Sequence, residues 1–341
     1  MMIISDSPLI PTLAACTAVG GCFFLALRRR QNRAIVSLPT GSAVVVSGAS
    51  RGLGRATALH LCNVCGLKVF AGVRRPEDGT NIVQRADVSN GGEIIPLQLD
   101  ITNSDQCRAA AQLVDATDGI DKIHAIICCA GIGVLGPMET VDVDKLRLVM
   151  DVQVFGTVRL LQAFGPLLRA ASDPRIVLCS SPVERMAIPL MGANVLSRHA
   201  TAGLARLAEI ETSGWPVPIK SIIVWPLGVT SGQSEVQFPQ LKELSDISAM
   251  AKPEDPLSAY ASVIQAVWGM WSKMGFKEGK CDEKRQSAIL PEDVAPVMAN
   301  AVLLQSPPRL LVAGRGGPIP FISSLPTSLQ IFGMRKRLGL S

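Results

Sequence analysis

Seven short apolar runs alternate with segments of helical pattern between residues 43 and 314. They read AVVVSG, LKVFAG, IIPLQL, HAIICC, RIVLCS, SIIVWP and RLLVAG, and they are apolar throughout rather than at every second residue. Such runs are typical of strands buried on both faces, and their alternation with helices connects parallel neighbours. The sequence therefore predicts an α/β fold, with one doubly wound domain around a seven-stranded parallel sheet.

The predicted domain occupies residues 35–325 of the 341-residue chain, which is long enough for one large core. Before it we place a membrane anchor with a basic juxtamembrane segment at 1–34, and after it a basic tail at 326–341. Residues 231–290 form an insert in which the pattern loosens. Because 48% of the residues are apolar and 18% are charged, the composition excludes extended disorder.

An uncharged apolar segment, Leu9 to Leu27, lies near the N-terminus. Its length suits a helix that crosses a bilayer core, and arginines at 28, 29, 30 and 33 follow it. Because positive flanks stay in the cytosol, we expect an uncleaved single-pass anchor, at the endoplasmic reticulum, with a cytosolic domain. A cleaved secretory signal, which carries its positive charges before the apolar run, and organelle targeting are the alternatives.

The insert carries an apolar cluster in the segment AVWGMWSKMGF. Three interpretations stay open: core packing of one helix, a lid over an apolar ligand, or a surface that dips into a membrane. The cluster consists of Trp268, Met270, Trp271, Met274 and Phe276.

Cysteines and charge exclude several classes of function. The nine cysteines are scattered, and Cys62 and Cys65 have no second pair at zinc-ligand spacing, so we expect reduced thiols and no metal site. Much of the net charge of +5 comes from the N-terminal arginines and from MRKR near the C-terminus. Such segments suit an anionic membrane lipid surface, and we expect no nucleic-acid partner.

A glycine-rich bend follows the first predicted strand and opens a helix, in VVVSGASRGLGRATALHL. Glycines there let the backbone turn tightly and approach a pyrophosphate, which binds free N–H groups at the positive end of the helix dipole. This context predicts a dinucleotide site in a Rossmann fold. The glycines are Gly48, Gly52 and Gly54.

Basic residues at the end of the second predicted strand indicate which dinucleotide binds. A carboxylate there would accept hydrogen bonds from the ribose hydroxyls, whereas Arg74 would attract a 2′-phosphate. Arg51, inside the glycine bend, adds a second cation. The sequence therefore predicts NADP(H) rather than NAD(H); the alternative is that Arg74 and Arg75 are solvated surface charges.

These motifs resemble, in order and spacing, those of the short-chain dehydrogenase/reductase family over roughly residues 42–314. The bend resembles the family's TGxxxGxG with Ser47 in place of threonine, LQLDIT matches its adenine-contacting acidic residue, and CCAG matches NNAG. PLGVT resembles PGxxxT loosely, because its glycine comes one residue late and its threonine one early. The resemblance implies cofactor contacts from Gly48, Ser50, Arg51, Gly52, Leu53, Gly54, Arg74, Asp100, Ile101, Cys128, Ala130, Gly131, Arg198, Pro226, Gly228 and Thr230.

Within this family the core is similar to the branch that acts on retinoids, steroids and other lipophilic alcohols. The similarity includes KVFAGVR and the ending PEDVA, PPRLLVAG and LP. It implies a lipophilic small-molecule substrate. It also implies a homodimer or homotetramer built on the helix after the active-site strand and that helix's neighbour.

The family's catalytic Asn-Ser-Tyr-Lys tetrad is largely replaced. By the resemblance Ser181 stands at the serine position, Asn194 at the tyrosine, Arg198 at the lysine and Gln153 at the asparagine. The family's tyrosine moves the proton, and its lysine lowers the tyrosine pKa and holds the ribose. An amide does not titrate near neutral pH, and a guanidinium is a poor proton shuttle.

Four other proton sources can be named from the sequence. Tyr260 is the only tyrosine and belongs to the insert, so no Y-x-x-x-K exists. His199 follows Arg198, and we expect it to be packed or at the surface. Cys179 shares a face with Ser181 if the strand extends that far, and otherwise is a buried apolar residue. A water held by Gln153 is the last candidate.

Two functions stay open on these observations. The first is a membrane-anchored, NADP(H)-dependent oxidoreductase that acts on a lipophilic alcohol or carbonyl with a nonstandard proton donor. The second is an inactive member of the family that binds NADP(H) as a sensor or scaffold. Loss of the positioned acid predicts chemistry slower by about 10²–10⁴-fold.

Overall fold

The computed structural model describes residues 34–39, 41–229, 232–273, 276–277, 280–281, 289–314 and 319–339. The predicted anchor from Leu9 to Leu27 and the arginines that follow it lie outside these residues. None of the helices within the described ranges combines the length and the apolar character that crossing a bilayer requires.

Nine strands are described, and seven of them form one parallel sheet in the order β3-β2-β1-β4-β5-β6-β9. The predicted parallel sheet and doubly wound topology are therefore confirmed, with every predicted strand end within two residues of the observed one. The strands are β1 (Ser42–Ser47), β2 (Lys68–Val73), β3 (Glu93–Gln98), β4 (Lys122–Cys128), β5 (Arg175–Cys179), β6 (Lys220–Pro226), the antiparallel pair β7 (Phe276–Lys277) and β8 (Lys280–Cys281), and β9 (Leu310–Ala313).

Helices cover both faces of this sheet. They are α1 (Gly52–Asn63), α2 (Pro76–Val83), α3 (Ser104–Asp115), α4 (Val143–Met150), α5 (Gly156–Arg169), α6 (Gly192–Glu211), α7 (Gly232–Met250), α8 (Ala261–Lys273), α9 (Pro291–Leu303), α10 (Ile319–Ile322) and α11 (Thr327–Leu338).

The two-sided cover explains why the strand runs are apolar throughout. Successive side chains of a strand point to opposite faces, so Val44 packs in the core with α1 and α9, whereas Val45 packs in the core with α3 and α5. Both are fully buried. Burial of one such side chain stabilises the fold by about 1.5–3 kcal/mol, which a polar residue on either face would forfeit.

The insert packs as a third apolar cluster beside the sheet. Its buried members Leu241 and Ile264 contact Leu135 and Leu190, and Trp268 and Trp271 pack against them. For these two tryptophans the structure shows core packing, the first of the three interpretations. Met274 lies outside the described residues, and of Phe276 only the backbone is described.

The C-terminal segment 326–341, which we predicted as a basic tail, contains a helix. Helix α11 packs against α8, and Leu338 joins the third apolar cluster. The prediction of a tail rested on the charges of MRKR alone, which indicate a solvated segment. The apolar residues between and around these charges have helical spacing, and they belong to the observed helix.

Candidate active site

The bend between β1 and α1 lies at the edge of the sheet where the strands end. Gly48 has φ +68°, and a Cβ there would lie 2.7 Å from the Cα of Ala130. A Cβ on Gly54 would lie 2.2 Å from the carbonyl oxygen of Gly48. Only glycine fits at either position, so the bend packs directly on the residues that follow β4.

The start of α1 is open to an anion. Arg51 is the N-cap residue, and its side chain does not cap the helix. The first N–H groups of α1 therefore have no intrahelical partner, and they carry the positive end of the helix dipole. Gly52 has φ +54°, and Leu53 is buried, which leaves Ser50 and Arg51 as the side chains facing outward from the bend. This arrangement fits the pyrophosphate of a dinucleotide.

Charged residues follow β2 and β3 at the same edge. Arg74 is exposed and forms no ion pair within the described part of the chain, whereas its neighbour Arg75 pairs with Asp78 at 3.1 Å. Asp100 Oδ1 accepts hydrogen bonds from the backbone N–H of Thr102 at 2.9 Å and from its hydroxyl at 2.7 Å. The structure thus fixes the carboxylate and leaves the Arg74 guanidinium available to a phosphate.

The remaining predicted cofactor residues lie around this edge with differing exposure. Ile101 is buried, and a Cβ on Gly156 would lie 2.7 Å from its Cδ1, so Ile101 packs against the start of α5. Cys128 ends β4 and Pro226 ends β6. Gly228 has φ +71°, which turns the chain after β6. Thr230 lies outside the described residues.

Gln153 occupies a π-helical turn, Asp151–Phe155, between α4 and α5. Its Nε2 donates a hydrogen bond to the carbonyl oxygen of Ile132 at 2.8 Å. Its Oε1 is buried and has no hydrogen-bond partner in the described chain, although the residue is only 2% exposed. Turns of this type often occur at functional sites, and a buried acceptor without a partner costs about 1–3 kcal/mol unless a ligand or water satisfies it.

Arg198 reaches from α6 to the ends of β4 and β5. Its Nη1 donates a hydrogen bond to the carbonyl oxygen of Cys179 at 2.6 Å. A Cβ on Gly131 would lie 3.4 Å from its Nη2 and 3.7 Å from Gln153 Oε1. Burial lowers the pKa of Arg198, and nearby thiols and Glu184 oppose that shift. The structure therefore brings Arg198, Gln153 and Gly131 together, as the resemblance implies for a ribose site.

Asn194 and Ser181 are the residues that the resemblance places at the other two tetrad positions. Asn194 is 4% exposed, and its Oδ1 has no hydrogen-bond partner in the described chain. Ser181 Oγ accepts a long hydrogen bond, 3.4 Å, from the backbone N–H of Val183. None of the four tetrad positions carries a group that exchanges protons near neutral pH. Two buried amide oxygens are ready to accept hydrogen bonds instead.

A pair of thiols, Cys129 and Cys179, borders the site. β4 pairs with β5 so that Cys128 faces Leu178, which places Cys129 next to Cys179. The Cys129 thiol donates a hydrogen bond to Cys179, which raises the pKa of Cys129 and lowers the pKa of Cys179; burial raises the pKa of Cys128 to about 12. Cys129 belongs to the CCAG motif of the sequence, but its position next to Cys179 was not predicted; the register between β4 and β5 reveals it.

The other candidate proton donors do not reach the tetrad positions. The Tyr260 hydroxyl donates a hydrogen bond to Glu139, which raises the tyrosine pKa. His199 is exposed, as expected, and its Nδ1 lies 2.9 Å from the carbonyl oxygen of Val195. In the described residues no group of His, Cys, Asp and Glu is arranged to hold a metal ion.

An apolar cavity of about 440 Å³ lies beside the tetrad positions. It is bounded by the start of α6, by the loops that precede α4 and α6, and by one face of α11. Val195 lines it and follows Asn194 directly. The contribution of α11 to the cavity was not predicted from the sequence. Its lining residues Ile331, Met334 and Leu338 have a helical spacing that could have revealed it.

The chain is similar in sequence to known proteins. The family described as short chain dehydrogenase matches residues 42–238. Human 17-beta-hydroxysteroid dehydrogenase type 1 is 32% identical over 167 residues, which cover 48% of this chain and 50% of that protein. The chain thus spans about half the length of this relative.

Solved structures show the same fold at low identity. A short chain dehydrogenase/reductase from Burkholderia phymatum, in complex with NAD, has a TM-score of 0.63 at 19% identity, over 90% of this chain and 98% of that one. A short chain dehydrogenase from Shigella flexneri, complexed with NADP, has a TM-score of 0.60 at 21% identity, over 81% and 97%.

Proposed function

This chain belongs to the short-chain dehydrogenase family; from this premise we propose that it is an oxidoreductase of that type, which uses NADP(H) to interconvert a lipophilic alcohol and its carbonyl compound. The observation that carries the proposal is the approach of Arg198 and Gln153 to Gly131, beside the glycine bend. A polar edge of this kind suits a dinucleotide that runs from the bend to the tetrad positions.

The preference for NADP(H) rests on Arg74 and Arg51. Both are exposed at the adenosine end of the edge, and no carboxylate follows β2 directly. An unpaired guanidinium binds a 2′-phosphate through charge-assisted hydrogen bonds. The NADP complex of the Shigella relative supports this choice and the NAD complex of the Burkholderia relative does not, so the choice rests on these arginines.

The residues of this chain divide the chemistry in an unusual way. When bound, NADPH supplies the hydride. Arg198 holds the ribose, and the Ser181 hydroxyl donates a hydrogen bond to the substrate oxygen. A water that donates one hydrogen bond to the unpaired oxygen of Gln153 or Asn194 delivers its other proton to the substrate oxygen, and solvent water returns a proton to the hydroxide that remains. Because that water is a weaker acid than a positioned phenol, we expect turnover about 10²–10⁴-fold below that of a complete tetrad.

The substrate class follows from the cavity and from the relatives. The cavity walls are mostly apolar, which favours a lipophilic molecule such as a steroid, a retinoid or a fatty aldehyde. The human relative's name supports a steroid.

The apolar segment from Leu9 to Leu27 supports a single-pass anchor in the endoplasmic reticulum with a cytosolic domain. We also propose a homodimer or homotetramer, by the resemblance alone.

A second candidate function follows from one observation. Asn194 stands where the family's acid belongs and cannot titrate, while the cofactor edge is intact. A protein that binds NADP(H) as a sensor or scaffold, without turnover, would need the cofactor edge but not the acid.

The test uses the full-length protein in detergent with NADPH and a panel of retinoid, steroid and fatty carbonyl compounds. Slow NADPH oxidation that depends on one compound class supports the oxidoreductase. Micromolar binding of NADPH without oxidation of NADPH by any compound supports the second candidate. Absence of dinucleotide binding contradicts both. Arg198→Met is the variant to compare with the wild type in each measurement, since it removes the proposed ribose contact and keeps a similar side-chain volume.

A further inference from the structure

Helix α11 exposes large apolar side chains on its outer face. Leu329 and Phe332 are three residues apart, one helical turn, and are 52% and 65% exposed. Lys336 follows Phe332 by four residues and lies on the same face. An exposed phenylalanine and leucine with a lysine beside them are two features, apolar and cationic, that a helix in a membrane interface combines on its lipid-facing side.

The charge of this region has a single sign. Arg335, Lys336 and Arg337 occupy the last turn of α11, and no aspartate or glutamate occurs anywhere from Val294 to the C-terminus. Basic residues at a helix C-terminus also interact favourably with the helix dipole. That interaction does not explain why large apolar side chains beside them are exposed to water. An anionic lipid surface is complementary to both features, because it accepts the charges and the apolar side chains together.

The inner face of the same helix forms a wall of the apolar cavity. Ile331, Met334 and Leu338 line the cavity from this side. Met138 and Leu196 line it from the opposite side, and both are about half exposed. The mouth of the cavity is therefore rimmed by exposed apolar side chains and adjoins the outer face of α11.

We propose that α11 lies on an anionic phospholipid surface and that the cavity it walls takes its lipophilic ligand directly from that lipid layer. The identity of the ligand as a substrate rests on the proposed function, whereas the membrane contact does not. The contact supplies a local route for a molecule that dissolves poorly in water, because the cavity opens beside the lipid.

The experiment measures lipid contact at Phe332. Full-length Phe332→Trp is reconstituted in phosphatidylcholine vesicles with about one third phosphatidylserine, and brominated lipids quench its tryptophan fluorescence. The wild-type signal is subtracted, since four native tryptophans contribute. Ile210→Trp, at a site 67% exposed on α6, is the matched control. We expect at least about twofold stronger quenching at position 332 than at position 210.

Charge variants separate a lipid contact from other partners. Lys336→Gln with Arg337→Gln should lower the ratio of docked to undocked helix about 30-fold, so the extra quenching is lost. Arg85→Gln with Arg108→Gln, elsewhere on the surface, should leave it unchanged. Quenching at position 332 no stronger than at position 210 overturns the proposal. A fluorescence shift that follows protein concentration without lipid also overturns it, because the face is then an interface between copies.

Failure of the proposed function gives a different result. A chain that binds no NADPH, or never oxidises it, can still show lipid quenching at position 332. If turnover occurs, the Lys336→Gln, Arg337→Gln variant should raise the KM for a vesicle-borne substrate and leave the KM for a water-soluble aldehyde unchanged. A KM for the vesicle-borne substrate that is the same in this variant as in the wild type would overturn ligand entry from the lipid.

Discussion

The two halves of the sheet edge differ in how far they keep the family's parts. The nucleotide half, formed by the bend Gly48–Gly54 with Arg74 and Asp100, retains its glycines, and its carboxylate is hydrogen-bonded. The reaction half, formed by Gln153, Ser181, Asn194 and Arg198, contains two buried amide oxygens without partners in the described chain.

Under the proposed function, nucleotide binding and proton transfer depend on separate elements of the chain. Glycine geometry and a free helix start suffice to hold a dinucleotide. Proton transfer needs a titratable group beside the substrate oxygen, and Asn194, which the resemblance places at that position on α6, does not titrate near neutral pH. A chain with this fold can therefore bind the nucleotide and still lack the group that transfers the proton.

Restoring the phenol gives the largest expected effect. Asn194→Tyr with Arg198→Lys should raise kcat about 10²–10⁴-fold, because a positioned acid with a lysine beside it returns to the reaction half. Steady-state NADPH oxidation with the best substrate of the panel measures it. The matched control, Asn194→Phe with Arg198→Lys, has the same ring without the hydroxyl and should gain nothing. Equal gains in both would show that ring packing, not the proton, limits the wild type.

Gly48→Ala tests the nucleotide half. The positive φ costs an alanine about 1–2 kcal/mol, and the close Ala130 backbone adds a similar amount, so about 3 kcal/mol of stability is lost, with weaker NADPH binding. Gly91→Ala is matched, since its φ is +78° and a Cβ there would meet no atom within 4 Å. It should lose only about 1–2 kcal/mol in thermal unfolding and keep its NADPH affinity. Similar losses for both would mean that close packing at Gly48 contributes nothing.

Acid should weaken the scaffold shared by both halves. Burial, with the charge of Arg175 nearby, lowers the pKa of His124 from 6.5 to about 4. The folded state keeps His124 neutral while the unfolded chain takes up the proton, so this stability is present above pH 6.5 and is lost as pH falls towards 4. We expect a loss of about 2 kcal/mol between pH 7.5 and pH 5.

His124→Gln checks this pH effect. Its unfolding temperature should fall less than that of the wild type over the same pH range, because glutamine does not titrate. An identical pH dependence in both proteins would assign the effect to another group. The comparison also separates loss of fold from loss of chemistry when activity is measured in acid.

Arg74→Gln should give the smallest effect. Loss of one exposed charge-assisted contact to the 2′-phosphate should weaken NADPH binding about tenfold and leave NADH binding unchanged. Arg75→Gln is the control, because Arg75 already pairs with Asp78. Fluorescence titration measures both. An equal loss for the two nucleotides would place the phosphate elsewhere.

The sequence predicted the sheet and the position of the glycine bend well, for a physical reason. Strands such as β1 are buried on both faces, so their composition shows them without knowledge of neighbours. A glycine at a positive φ between strand and helix likewise marks one place, as Gly48 does. Both signals are local in the chain.

Features formed by distant segments could not be predicted in the same way. The wall that α11 gives to the cavity depends on how residues 327–338 pack against α8, across the cavity from the start of α6. The adjacency of Cys129 and Cys179 depends on the register between β4 and β5. The unpaired oxygen of Gln153 depends on which way its amide turns, which the hydrogen bond to Ile132 decides.

Titration of NADPH into the wild type and into Asn194→Tyr with Arg198→Lys tests the central claim most directly. We expect micromolar dissociation constants for NADPH in the wild type and in the double variant that agree within about threefold, since the nucleotide half is the same in both proteins. Binding by the double variant alone, or by neither protein, would contradict the claim that the two halves act separately.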